Sequence, residues 1–299
     1  MTAMPGRANP QDLPTQGTSR KPMQASAAEP DRYAIVGHPV GHSWSPFIHG
    51  MFSKQTGQAV TYRLLDLTPE RFRVGAIEFF TTGGKGLNVT VPHKQAAAEL
   101  VNELSPLADR AQAVNTISMR GNELIGDNTD GTGLLRDLTE NLGFPVAGKT
   151  ILILGAGGAT RGILEPLLAA APAAVLVANR TRSRGEELIR NFKDLGAIRA
   201  VGLDSIPDTQ FDLIINATSA SLSGETVAIP NETVSTATLC YDMSYGKSET
   251  PFTSWAKAAG AGQAVKGWGM LVEQAAESFL IWRGVRPDTR PVLQALARL

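Results

Sequence analysis

The chain has 299 residues, with 28 Lys+Arg balanced by 28 Asp+Glu, so no basic field argues for nucleic acid or an anionic membrane as partner. Its length favours two domains, and 42% hydrophobic against 19% charged residues is ordinary for a globular protein. One cysteine, Cys240, excludes an intramolecular disulfide and a thiolate zinc cluster and fits a reducing compartment. His38 and His42 flank Pro39 and Gly41 in a loop pattern and do not share a helix face, so no metal site is expected. No apolar run approaches the length that spans a membrane. The first 29 residues hold one leucine and no Val, Ile or Phe, which leaves no apolar stretch for a signal peptide. Residues 1–30 read as a disordered tail, and the protein as cytoplasmic.

Order begins at RYAIVG, Arg32 to Gly37, a short apolar strand closed by glycine. The loop GHPVGHSWSP follows, then a helix from Pro46 to Gln55. TYRLLDL, Thr61 to Leu67, reads as a strand, and Pro69 to Phe80 as a helix with proline in its first turn. GLNVTV, from Gly86, is a third strand, with a helix opening near Pro92. This alternation predicts a mainly parallel α/β sheet covered by helices. AVNTISMRGNELIGDNTD reads as two short strands around Arg120-Gly121-Asn122, and Thr132 to Asn141 as a helix stopped at Gly143. The alternation restarts at KTILILGAGGATRG and runs through AVLVANR, FDLIINATS and TLCYDMS, so a junction is placed near residue 131. A final helical pattern, Gly267 to Trp282, has no following strand to join and is free to pack back on the first domain.

The run Ile151 to Leu154 leads straight into Gly155-Ala156-Gly157-Gly158-Ala159. Glycine permits a sharp turn and lets backbone N–H groups approach a pyrophosphate at a helix N-terminus. Such a loop alone also fits a ligand-free strand–helix turn; its place between strand and helix favours a dinucleotide. The next strand ends in Asn179-Arg180-Thr181-Arg182-Ser183-Arg184, where an NAD site would carry a carboxylate. Guanidinium groups bind a 2′-phosphate by charge-assisted hydrogen bonds, whereas cations at a helix start are otherwise slightly unfavourable. The cofactor expected is NADP.

Lys94, in GLNVTVPHK, falls within the first turn of its helix if Pro92 is the first helical residue. The positive end of the helix disfavours the ammonium form, and a lysine so placed in a cleft can exchange protons near neutrality. A surface lysine is the plain alternative. Asp130 of GDNTDG, at the expected junction, is a carboxylate that can orient it, although Asp127 and Asp130 can equally be helix caps. Ser43, Ser45, Asn88, Thr90, Asn115 and Thr116 lie in neighbouring turns. Together they suit a small polyhydroxylated molecule, and singly each can be a turn residue.

The motifs GHPVGHSWSPFIH, GLNVTVPHK, AVNT, GDNTDG, GAGGATRG, NRTRSR, INATS, YDMSYGKSETPF and GMLVEQAAESF occur in the order seen in shikimate dehydrogenases. From Arg32 onward the chain resembles the NADP-dependent biosynthetic members of that family. The resemblance implies a substrate-binding catalytic domain at 31–130, a Rossmann-like NADP domain at 131–266, and C-terminal helices at 267–299 that return to the first domain. It also implies the reversible reduction of 3-dehydroshikimate to shikimate, on the route to chorismate and the aromatic amino acids. Lys94 and Asp130 would be the catalytic pair. Ser43 and Ser45 would hold the substrate carboxylate with Tyr245 nearby. Thr90, Asn115, Asp130 and Gln274 would meet ring hydroxyls, and Met243 and Gly267 would lie on the nicotinamide side. In a helix, Gly267, Met270 and Gln274 share one face. Pro106 replaces an acidic residue of some members, so no role is carried there, and Ser219-Ala220-Ser221 differs from the glycine-containing turn of others. A monomer and a homodimer are both compatible with the resemblance.

Overall fold

The computed structural model describes residues 1, 29–218 and 227–298. The expectation for the tail, but for Met1 and its last two residues, and the one for Ser219-Ala220-Ser221 lie outside the described residues. Two six-stranded sheets organise the rest. The first contains β1 (Asp31–Gly37), β2 (Val60–Asp66), β3 (Gly84–Val89), β4 (Glu103–Leu104), β5 (Thr116–Arg120) and β6 (Glu123–Asp127). Its order is β2-β1-β3-β5-β6-β4, parallel except where β5 runs antiparallel to β3 and β6. The β5–β6 hairpin closes at Gly121-Asn122, as its sequence suggests, with Gly121 at φ +63°. Four helices belong to this lobe: α1 (Ser45–Thr56), α2 (Pro69–Thr81), α3 (Lys94–Leu100) and α4 (Pro106–Ala111).

A connecting helix, α5 (Asp130–Arg136), continues as one π-helical stretch over Asp137–Asn141. The second sheet follows: β7 (Thr150–Leu154), β8 (Ala174–Asn179), β9 (Ile198–Gly202), β10 (Leu213–Asn216), β11 (Leu239–Asp242) and β12 (Gln263–Lys266). Its order is β9-β8-β7-β10-β11-β12, every pair parallel, which is the doubly wound order of a dinucleotide fold. The apolar runs ILIL, VLVA and LIIN are buried on both faces because helices cover both sides. These helices include α6 (Gly158–Ala169), α7 (Arg182–Ile189) and α8 (Pro251–Ala258), before α9 (Trp268–Arg283) and α10 (Arg290–Leu296) end the chain.

α9 leaves the second sheet and packs back on the first lobe, as expected. Val272, Ala275, Ala276 and Phe279 share a buried cluster with Ile48 and Phe52 of α1 and Val292 and Leu296 of α10. Trp282 donates from Nε1 to the Ile117 carbonyl at 3.1 Å, and its indole fills the space left by Gly86. Arg283 binds Asp31 and Gln58 of the same lobe.

Several boundaries differ from the sequence reading. Pro92 is not the first helical residue: β3 stops at Val89, and a turn with a cis Val91–Pro92 bond precedes the helix. His93 anchors that turn, with Nε2 on the Leu67 carbonyl at 2.7 Å and its ring stacked on Phe72, so α3 opens at Lys94 itself. The connecting helix starts at Asp130, two residues earlier than expected, because Asn128 Oδ1 accepts the Asp130 N–H and organises the turn. β4, β9 and β12 were not anticipated; each is short, and the last two carry Arg, Lys or Gln among small residues.

α5 crosses α6 and α9 at glycines. A Cβ on Gly131 would meet the Gly162 carbonyl and Pro166, and a Cβ on Gly133 would stand 2.7 Å from the Gln274 backbone nitrogen. Alanine at 133 would gain about 1 kcal/mol of helix propensity but overpack a backbone contact at about 2–3 kcal/mol, so the collision wins. Gly133→Ala is therefore expected to lower the melting temperature by roughly 2–6 °C in calorimetry. An unchanged or higher value would remove this crossing as a constraint.

Candidate active site

Three helix starts meet between the sheets: Lys94 opens α3, Asp130 opens α5 and Gly158 opens α6. Lys94 Nζ donates to Asp130 Oδ2 at 2.5 Å, with the two side chains 13% and 5% exposed. The lysine stem lies on the glycine loop, since a Cβ at Gly158 would come within 3.4 Å of Lys94 Cβ. Asp130 lies at the positive end of α5, and its contact with Lys94 offsets the unfavourable placement of a cation at the start of α3.

Around the pair the polar side chains are shared tightly. Asn115 Nδ2 donates to Asp130 Oδ1 at 2.9 Å and lies 3.3 Å from Gln274 Oε1. Asn115 Oδ1 accepts from the Thr129 backbone at 2.8 Å and from Thr116 at 2.9 Å. Asn88 Nδ2 reaches Ser278 Oγ at 2.9 Å and Thr116 Oγ1 at 3.2 Å, while its Oδ1 accepts from the Tyr62 hydroxyl at 2.7 Å. Thr90 stands in the turn before Lys94, its methyl against Gly37 and its N–H on the Val36 carbonyl.

At the other end of this array, Ser43 donates to Ser45 at 3.1 Å, and Ser45 is the first residue of α1. The Ser45 N–H at the start of α1 donates to Ser43 Oγ at 3.3 Å, Pro46 brings none, and the first turn holds no acid, so the positive end of the helix favours an anion there. Tyr245 bonds Ser43 and packs beside Trp268, with ring centroids 5.3 Å apart. Burial raises the Tyr245 phenol above its usual range, with Ser43 opposing, so it remains a protonated donor.

In the second lobe, Gly155 turns the chain after β7 at φ +101°, with Ala156 next, and Gly157 precedes the helix. A Cβ on Gly155 would stand 3.1 Å from the Thr218 methyl after β10, which places the loop at the point where the strand order reverses. α6 has no side-chain cap and no acid in its first turn, and Gly158 and Ala159 begin it. Asn179 ends β8 and donates to the Thr181 carbonyl at 2.8 Å. Arg180, Thr181, Arg182, Ser183 and Arg184 are all exposed, with Arg182 paired to Glu186 at 2.8 Å. They follow β8, the strand that pairs with β7 beside the glycine loop. Met243 and Gly267 meet at the ends of β11 and β12, where a Cβ on Gly267 would strike the Met243 carbonyl.

Family models match this chain over residues 35–117 (shikimate dehydrogenase substrate binding domain), 137–242 (shikimate / quinate 5-dehydrogenase) and 267–297 (shikimate 5′-dehydrogenase C-terminal domain). The shikimate dehydrogenase (NADP(+)) of Alkalilimnicola ehrlichii is 53% identical over 89% of this chain and 98% of its own length. This chain belongs to the shikimate dehydrogenase family. An Ael1 enzyme from Pseudomonas putida superposes with a TM-score of 0.82 at 42% identity, over 89% of this chain and 98% of the other. The Thermus thermophilus shikimate 5-dehydrogenase, solved in complex with NADP(H) and shikimate, gives 0.79 at 34% identity, over 90% and 99%.

Three members of the cluster were not singled out from sequence: Tyr62, Thr129 and Ser278. Ser278 follows Gln274 by one helical turn, a spacing that could have revealed it. Thr129 is one residue before Asp130, inside a motif already noted. Tyr62 carried no such signal.

His49 is buried, with neither ring nitrogen in hydrogen-bond geometry. It stacks on Tyr62 at 4.2 Å and 7°, with Phe52, Phe279 and Trp282 around it. Burial pushes its pKa down to about 3, with the neighbouring Asn88 side chain opposing. The unfolded imidazole therefore binds a proton between about pH 6.5 and 3 that the folded one refuses, so this contribution to stability is lost as pH falls through that window. From pH 7 to 5 it amounts to about 2 kcal/mol. Urea unfolding at the two pH values is expected to show that much less acid sensitivity in His49→Phe. Equal sensitivity in both proteins would contradict the assignment.

Proposed function

We infer that the protein is an NADP-dependent shikimate dehydrogenase, reversibly reducing 3-dehydroshikimate to shikimate on the way to chorismate and the aromatic amino acids. The observation that carries this reading is the Lys94–Asp130 pair, seated against Gly158 of the glycine loop and enclosed by hydroxyl and amide groups. The curated relatives at about this level of identity bear the same NADP(+) name, including that of Methylococcus capsulatus at 52%.

In this reading residues 31–130 bind substrate, 131–266 bind NADP, and 267–299 complete the substrate side. The loop fits a dinucleotide: Gly155 holds a positive φ, a Cβ at Gly157 would meet nothing, and the N–H groups of α6 are uncapped. Gly155, Ala156, Gly157, Gly158 and Ala159 would take the pyrophosphate, and Asn179 to Arg184 the 2′-phosphate. Met243 and Gly267 would flank the nicotinamide. When bound, NADPH supplies the hydride. The remaining chemistry belongs to the side chains.

Lys94 gives its proton to the substrate oxygen during reduction and takes it back in the oxidative direction. As an ammonium it also stabilises negative charge developing on that oxygen. Asp130 holds the lysine through one carboxylate oxygen while Asn115 fixes the other. Thr90, Asn115, Asp130 and Gln274 meet ring hydroxyls, each needing a partner once water is excluded. Ser43, Ser45 and Tyr245 take the carboxylate beside the N-terminus of α1.

A cytoplasmic location fits the single buried cysteine and the lack, among the described residues, of any helix long and apolar enough to cross a membrane. Monomer and homodimer both fit; β2 is an edge strand of its sheet among the described residues.

The direct test is absorbance of the reduced nicotinamide, with shikimate or quinate and NADP+ or NAD+. Fast reduction with shikimate and NADP+ alone is expected; a preference for quinate would overturn the substrate assignment. Lys94→Ala is expected to lower kcat by about 10²- to 10⁴-fold while KM stays within a few-fold. An unchanged kcat would take Lys94 out of the reaction. Replacing Arg180 and Arg184 together by alanine should raise KM for NADP+ by about tenfold or more and leave NAD+ unaffected. Equal effects on both cofactors would detach these arginines from the 2′-phosphate.

A further inference from the structure

The segment from Met243 to Glu249 leaves β11, returns to α8 and carries Tyr245. Its two ends are tied to one buried carboxylate. Asp242 Oδ1 accepts from the Ser244 N–H at 3.0 Å, and Asp242 Oδ2 accepts from the Thr250 hydroxyl at 2.5 Å. Thr250 also caps α8. Between these ends the segment is neither strand nor helix, so its backbone carbonyls need partners from elsewhere.

Three successive residues at the junction of β12 and α9 supply them. The Gly267 N–H donates to the Ser244 carbonyl at 3.0 Å, and Trp268 Nε1 donates to the Gly246 carbonyl at 3.3 Å. Lys266 Nζ reaches the carbonyls of Gly246, Lys247 and Ser248 at 2.5, 3.2 and 3.1 Å. An ammonium has three donors and no acceptor, so three carbonyls of one turn match it proton for proton. Because the donor is charged, these bonds are stronger than bonds between neutral groups.

The consequence falls on Tyr245, the residue just before the turn that Lys266 grips. The tyrosine reaches across the cleft: its ring packs on Trp268 at 5.3 Å and its hydroxyl bonds Ser43 of the first lobe. Trp268 itself meets Trp44, the neighbour of Ser43, at 5.8 Å. Met243 is held separately, since its N–H donates to the Asn216 carbonyl at 3.0 Å and the next residue is fixed by Asp242 and Gly267.

We propose that Lys266 is a positioning residue for the substrate: its ammonium fixes the turn from Gly246 to Ser248 and thereby sets the Tyr245 hydroxyl against Ser43. The nicotinamide side, at Met243 and Gly267, does not depend on it. The inference rests on the proposed shikimate reading, in which Tyr245 meets the substrate carboxylate, and deepens it.

Lys266→Met keeps the stem and removes every donor. Its KM for shikimate is expected to rise about 5- to 30-fold, because a hydrogen bond to a charged group is weakened. Turnover and NADP+ affinity, titrated without shikimate, should hold. Tyr245→Phe should raise KM when made alone and add nothing in the Lys266→Met background, because both changes act through one hydroxyl. Full additivity, or an unchanged KM in Lys266→Met, would overturn the proposal. A second readout needs no turnover. Lys247 is exposed, and trypsin cuts after it when the turn opens. Mass spectrometry of the fragments should show this bond cut about tenfold faster or more in Lys266→Met, and an equal rate would overturn the proposal. Should that variant fold poorly, Lys266→Gln keeps two N–H donors, and intermediate values of both readouts are expected. Values equal to those of the unaltered protein would again overturn the proposal. If the unaltered protein oxidises no shikimate at all, the proposed function fails, and cleavage at Lys247 still decides whether Lys266 holds the turn.

Discussion

The close crossing of α5 with α6 and α9 is the constraint on which the site depends. Gly131 and Gly133 have no side chain at the points of contact, so the three backbones approach further than alanine would allow. Asp130 begins α5, and its position is therefore set by the same contacts that seat α6 and α9. The glycine loop enters α6 and Gln274 rides on α9, which brings a carboxylate, a loop and an amide from separate parts of the chain into one cluster. The next turn repeats the device: Asp137 occupies the space where a Gly269 side chain would be and accepts from the Tyr241 hydroxyl at 2.6 Å. Burial raises the Asp137 carboxyl above its usual range, with Tyr241 and Asn141 opposing. Such an acid persists only where surrounding donors hold it.

Much of this arrangement is written in local pattern. The apolar runs at Ile151 and Leu213 and the glycines after Leu154 are enough to indicate a buried parallel sheet with a ligand loop, and the absence of an acid at Asn179 separates two cofactors. The residues of GLNVTVPHK and GDNTDG suggest a reacting pair because a cation at a helix start needs a reason. What escaped are features decided by tertiary contact. β9 and β12 are edge strands with half-polar sequences, and their pairing with β8 and β11 supplies what their periodicity does not. Pro92 looks like a helix opener, yet His93 is held by Leu67 and Phe72 from another part of the chain, and that contact moves the start to Lys94. Tyr62 alternates like any strand residue; only the placement of Asn88 and His49 gives it a distinct setting.

The pairing of Lys94 with Asp130 makes a poor case as a stabilising element. Both side chains are largely buried, and removing two charges from water costs several kcal/mol each, which mutual attraction only partly offsets. A well-packed apolar pair would serve the fold as well or better. The asymmetry of the helix ends adds to the argument, because the lysine sits where the dipole opposes it while the aspartate sits where the dipole helps. A structure that keeps a costly cation at an unfavourable helix start, and encloses it with hydroxyl and amide groups, has a site suited to proton exchange. The other end of the array, at Ser43, Ser45 and Tyr245, gathers uncharged hydroxyls at the start of α1. Charge is thus concentrated at the Lys94–Asp130 end of the array and not at the Ser43–Ser45 end.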